Sequence, residues 1–158
     1  MIKKFVFGQP IDTGAVVMEI PEETETFSLL HLEETKEGIL LSCSLETDDV
    51  VYGLGEQVRG INKRGFRYIS NATDDGIHTE NKHSLYGAHN FMVLDSKKHG
   101  NRWGLFVDDP GKVIFDIGDT VMERLEIQAA KDCILYTVEG SSLKDIVKQF
   151  RKLIGPSY

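Results

Sequence analysis

Phe91-Met92-Val93-Leu94, Trp103-Gly104-Leu105-Phe106-Val107 and Val113-Ile114-Phe115-Asp116-Ile117 follow one another with short breaks between them. The breaks are turn chemistry. Lys97-Lys98-His99-Gly100-Asn101 reads as a hairpin tip, and Asp108-Asp109-Pro110-Gly111 as a tight turn. Proline presets φ, glycine reaches φ values closed to other residues, and aspartate bonds its own backbone. Apolar runs this short, rich in β-branched and aromatic residues and this tightly joined, predict consecutive antiparallel strands.

The pattern extends both ways. Towards the C-terminus, residues 120–129 are expected as a strand with Val121, Glu123, Leu125 and Ile127 on one face, followed by a strand over residues 133–138. Towards the N-terminus, residues 5–7, 15–20, 26–32 and 39–45 have strand composition, as does Val50-Val51-Tyr52, and Lys36-Glu37-Gly38 is a turn. Fifteen glycines and four prolines supply the many turns this needs. Many short strands at close spacing predict a mainly β protein, an antiparallel β-sandwich over residues 1–140.

The tail has another period. Leu143, Ile146, Val147, Phe150, Leu153 and Ile154 recur at i, i+3, i+4, i+7 spacing. Ser142 with Asp145 resembles a capping box, and Gly155-Pro156 is a stop signal. Residues 141–158 therefore read as one amphipathic C-terminal α-helix and a connector.

Composition narrows the function classes. With 158 residues the chain can bury a core without covalent staples. Eighteen basic against 25 acidic residues leave a net charge of −7, which argues against nucleic acid or an anionic membrane as partner. Two cysteines, Cys43 and Cys133, have neither metal nor redox spacing and read as two buried thiols. No apolar run reaches the length of a membrane span, and Met1-Ile2-Lys3-Lys4 precedes no long apolar stretch. The expectation is a cytoplasmic chain.

Residues 71–90 break the alternation. They are rich in Asn, Asp, His, Thr, Glu and Gly, and a stretch of this length without periodicity inside a compact domain is usually functional when ordered. It holds Asp74, Asp75, His78, Glu80, His83 and His89. His78-Thr79-Glu80 matches half of a zinc deaminase signature, but the Pro-Cys-x-x-Cys half is absent, and no pair has His-Glu-x-x-His spacing. No metal and no cofactor is expected. Hydrolysis of a glycosidic bond needs two carboxylates facing one bond, whereas sugar recognition needs only an acceptor for neighbouring hydroxyls, and charge-assisted bonds are the stronger kind. Three readings stay open: carboxylates that grip a polyol, acid–base use of Asp74 or Glu80, or aspartates that cap turns beside loop-filling histidines.

Two other clusters read more plainly. Gly53-Leu54-Gly55-Glu56 lacks the third glycine of a phosphate-binding turn and is expected to mark a bulge or a close backbone approach. Arg59, Lys63, Arg64 and Arg67 are expected as solvated charges around a hairpin whose tip is Asn62-Lys63-Arg64-Gly65. Trp103 is expected in the core rather than as a sugar platform.

The sequence also resembles a known family. Val51-Tyr52-Gly53-Leu54-Gly55-Glu56, Asn62-Lys63-Arg64-Gly65-Phe66-Arg67-Tyr68, Asn71-Ala72-Thr73-Asp74-Asp75, His78-Thr79-Glu80 and Ser84-Leu85-Tyr86-Gly87-Ala88-His89, in this order, resemble the N-terminal domain of glycoside hydrolase family 31, bacterial α-glucosidase type. Trp103-Gly104-Leu105-Phe106, Phe115-Asp116-Ile117-Gly118 and the closing helix extend the resemblance over nearly the whole chain.

The resemblance implies a galactose mutarotase-like sandwich standing before a catalytic (β/α)8 barrel. In that family the barrel carries both catalytic aspartates of a retaining mechanism, so this chain would supply none. It would lend the long loop to the pocket for an α-linked glucoside or oligosaccharide. The matching sugar contact is Asp74 with its neighbour Asp75, and His78, Glu80 and His89 would support the loop. Gly76 and Asn90 stand where related members often have proline. The implied partners are the substrate and the enzyme's own barrel, and an apolar docking face would let the domain self-associate. The alternatives are a stand-alone carbohydrate-binding module or a mutarotase-like epimerase.

Overall fold

The structure, a computed structural model, describes residues 1–72, 74 and 76–156. Its strands are β1 (Ile2–Phe7), β2 (His31–Glu34), β3 (Ile39–Ser44), β4 (Val50–Gly55), β5 (Phe66–Ser70), β6 (Ala88–Ser96), β7 (Asn101–Asp108), β8 (Val113–Ile117), β9 (Arg124–Ala129) and β10 (Cys133–Glu139), followed by helix α1 (Leu143–Ile154). One sheet has the order β1-β10-β7-β6-β4 and the other β2-β3-β9-β8-β5, and all of these neighbouring strands pair antiparallel. This is the mainly β antiparallel sandwich that the strand pattern predicts.

The main core fills the space between the sheets. Leu41, Val51, Met92, Leu105, Phe115, Leu125, Ile127 and Leu135 are at its centre, and Trp103 joins it as expected. The first sheet is buried on its other face too, where Phe91, Val93, Phe106, Tyr136 and Val138 meet Ile146, Phe150 and Leu153 of α1. Burial on both faces explains why β6, β7 and β10 read as continuous apolar runs rather than alternating ones. Gly104 permits the close approach of the helix: a Cβ there would lie 2.9 Å from the Phe91 ring and 3.0 Å from the Ile146 side chain.

Helix α1 starts as the sequence indicates. The Ser142 hydroxyl accepts from the Asp145 amide at 3.1 Å, and the Asp145 carboxylate accepts from the Ser141 amide at 3.0 Å. That backbone bond holds the Asp145 carboxyl below the usual carboxylate range.

Several expected elements are different. Residues 15–20 form no strand: the amides of Val17 and Met18 donate to the Leu153 carbonyl at 2.9 and 3.3 Å. They thus satisfy the end of α1, where carbonyls lack intrahelical partners, while Ala15, Val16 and Ile20 pack on the helix-side core. Of residues 26–32 only the end is strand, because Phe27 turns in to meet the Phe5 ring edge-on at 5.2 Å. The strand expected from residue 120 begins at Arg124. The Asp116 carboxylate accepts from the amides of Asp119 and Thr120 at 3.0 and 3.2 Å, which folds residues 118–123 into a turn and leaves Val121 exposed rather than on the buried face.

The basic hairpin is also corrected. β4 and β5 belong to opposite sheets, so residues 56–65 arch between them. Lys63 is buried, not solvated, and its ammonium donates to the carbonyls of Gly60 and Arg59 at 2.8 and 3.3 Å. The Arg64 guanidinium donates to the carbonyls of Glu46 and Asp49. Both cations act as staples for backbone acceptors. Of the thiols, Cys133 is buried but Cys43 only partly so. Burial pushes Cys43 up to about 11 and Cys133 up to about 12, so both stay as unreactive thiols near neutrality.

Candidate functional site: the long loop between the sheets

The segment from residue 71 to 87 links β5, at the edge of one sheet, to β6 in the other. Its exit rests on the bulge that Gly53 and Gly55 signal. The β4–β6 register shifts between these glycines, and Leu54 between them is buried with φ 66°. A Cβ at Gly55 would lie 2.2 Å from the Gly87 carbonyl oxygen. The Glu56 amide donates to that carbonyl at 2.9 Å, and the Gly87 amide donates to the Glu56 carboxylate at 3.2 Å. The close backbone approach expected there is therefore the seat of the loop's exit.

The returning limb lies along the free edge of β5. The Ile69 amide donates to the His83 carbonyl at 2.7 Å, and the His83 imidazole bonds the Arg67 carbonyl through Nδ1. The Ser84 hydroxyl donates to the Asn71 carbonyl, joining the two limbs. The His83 ring lies parallel to the Phe66 ring with centroids 4.7 Å apart, and the Arg59 guanidinium lies 3.8 Å from the centre of the same ring. Arg59 Nε also donates to the Glu80 carbonyl at 3.3 Å. Arg59, Phe66 and His83 were not legible as a group, since only the pairing of β5 with its neighbours brings them together.

The candidate residues separate by environment. Asp74, His78 and Glu80 are exposed. Asp75 lies outside the described residues. His89 stands apart from them at the start of β6, half-buried, its ring 5.8 Å from that of Phe106 and 5.6 Å edge-on to that of Phe150. Burial pushes its imidazole below the ordinary value. Asn90 Nδ2 donates to the Asp109 carbonyl at 3.3 Å. Among the described residues no three His, Cys, Asp or Glu side chains gather as a metal-holding group. The carboxylates of Asp74 and Glu80 stand in water. They suit hydrogen-bond acceptance more than acid catalysis, which favours a dry pocket.

An antiparallel two-sheet sandwich, backed by a helix and extended by a long polar loop from one edge strand, defines the class. Residues 15–116 match the family model for the glycosyl hydrolase 31 N-terminal galactose mutarotase-like domain, and the chain belongs to that family. An alpha-glucosidase of Saccharolobus solfataricus is 25% identical over 99% of this chain and 23% of its own length. Alpha-xylosidase XylQ of Lactiplantibacillus pentosus is 26% identical over 71% of this chain and 14% of its own length. The chain thus spans less than a quarter of either relative. The glucose complex of a Flavobacterium johnsoniae GH31 dextranase superposes with a TM-score of 0.70 at 23% identity, covering 80% of this chain and 15% of that one. A cycloalternan-degrading enzyme from Trueperella pyogenes in complex with isomaltose gives 0.65 at 23% identity, covering 76% and 18%. These likenesses carry the fold.

Proposed function

We propose that this chain is the N-terminal domain of a retaining α-glycosidase that hydrolyses α-linked glucosides or oligosaccharides, and that its long loop is one wall of the substrate pocket. The catalytic aspartates belong to a partner barrel of the same enzyme. Asp74 accepts hydrogen bonds from sugar hydroxyls, with Asp75 beside it. His78, Glu80 and His89 support the loop.

The observation that carries this reading is an exposed carboxylate, Asp74, on a loop whose limbs are tied to each other and to β5. A loop with tied limbs has less freedom to lose on binding than a free segment. Ile61, Ile77 and Tyr86 are exposed in the two segments that leave β4 and β5, which suits a face that a barrel would cover. A cytoplasmic location and self-association through that face belong to the same proposal.

The test is Asp74→Ala in the full-length enzyme. The expected loss is at least about tenfold in kcat/KM, or about 1.4 kcal/mol. A value near that of the unsubstituted enzyme would remove Asp74 from the pocket. Micromolar binding of maltose by this domain alone would favour a self-sufficient carbohydrate-binding module instead.

A further inference from the structure

We propose that Arg59, Phe66 and His83 form a clamp that holds the returning limb of the loop against β5. The inference rests on the pocket-wall reading for its purpose but not for its geometry.

Three independent contacts converge on one strand. His83 uses its carbonyl on the Ile69 amide, its Nδ1 on the Arg67 carbonyl and its ring face on Phe66. It thereby satisfies backbone groups that an edge strand would otherwise leave open. Arg59 arrives from the other connection. It lays its guanidinium over Phe66, a cation–π geometry, and reaches Glu80 through Nε. Phe66 is itself anchored: it is 7% exposed and meets the Tyr68 ring edge-on at 5.2 Å. A buried ring on a sheet strand is a rigid base, and two polar side chains from separate loops use it at once.

The clamp also explains how the returning limb of a polar loop is held in place. Among the described residues of the loop, Leu85 alone is a buried apolar side chain. The limb must therefore be held at a few anchored points. Ser84, next to His83, passes the restraint across to Asn71 on the outgoing limb, close in sequence to Asp74.

Limited trypsin digestion of this chain tests the clamp, because Lys82 precedes His83. Cleavage after Lys82 requires the returning limb to lift from β5. His83→Ala should speed that cut about tenfold relative to cuts elsewhere in the chain. His83→Phe keeps a stacking ring and should restore a rate near that of the unsubstituted chain. Arg59→Ala leaves the Lys82–His83 bond chemically unchanged and should also speed the cut, with Arg59→Lys only partly restoring it. Equal cutting in the unsubstituted, His83→Ala and Arg59→Ala chains would overturn the clamp, as would acceleration spread evenly over all sites. The result is separable from the sugar reading. A selective cut with unimpaired Asp74→Ala enzyme keeps the clamp and discards the pocket wall, and the reverse pair of results does the opposite.

Discussion

The imidazole of His83 lies on the ring of Phe66 with only 1° between their planes, although the two residues belong to different structural units, a polar loop and an edge strand. Phe66 therefore faces two tasks. It fills the sandwich core beside Tyr68, and it offers a flat surface to the loop.

This double use predicts a large cost for truncation. Phe66→Ala should destabilise the chain by about 3–5 kcal/mol, the range for a buried aromatic. Phe66→Leu should cost about 1–2 kcal/mol while still freeing the loop, since an aliphatic side chain fills volume but gives no ring to stack on. Urea unfolding monitored by Trp103 fluorescence measures the first effect.

Asp74 should behave in the opposite way. It is exposed, so Asp74→Ala should change the stability of the chain by no more than about 0.5 kcal/mol. A thermal melt checks this. A large loss of stability would mean that the carboxylate serves the fold rather than a ligand.

Gly55 and Gly100 both have left-handed backbones, with φ of 69° and 63°, but only Gly55 is crowded. Gly100→Ala meets nothing within 4 Å and should cost about 1–2 kcal/mol, the left-handed penalty alone. Gly55→Ala would press on the Gly87 carbonyl and should cost more than about 3 kcal/mol. Denaturant midpoints of the two variants give the comparison. Similar values would show that the loop's exit is not seated on the bulge.

His89 sets a pH dependence. Its burial against Phe106 and Phe150 lowers the folded-state pKa beneath the 6.5 of a free imidazole. The unfolded chain then binds the proton more readily, so this contribution to stability is complete above about pH 6.5 and is lost as pH falls towards the folded value. Melting temperatures between about pH 7.5 and pH 5 should fall less in His89→Phe than in the unsubstituted chain. Identical slopes would remove His89 as the source.

Much of this molecule is legible without coordinates. The turns at 97–101 and 108–111 and the cap of α1 come out as read, because each depends on residues near one another in sequence. The failures share a different cause. Residues 15–20 have strand composition, but their amides are taken by the end of α1. Lys63 and Arg64 look solvated, yet they meet carbonyl groups that an arch between sheets brings within reach.

The candidate site divides along the same line. Asp74, His78 and Glu80 could be listed from composition, since a polar stretch in a β-rich chain stands out, but only the family resemblance picks out Asp74 as the sugar contact. What holds them could not. His83, Phe66 and Arg59 share no motif, and they meet only because β5 pairs with β8 and leaves its other edge open to the loop. Sequence by itself determined most of the strands, the turns at 97–101 and 108–111 and the closing helix, since local backbone preference and side-chain period act over a few residues. The tertiary structure decided which sheet each strand joins and where the loop is tied, because those contacts depend on pairings between distant segments that no short stretch encodes.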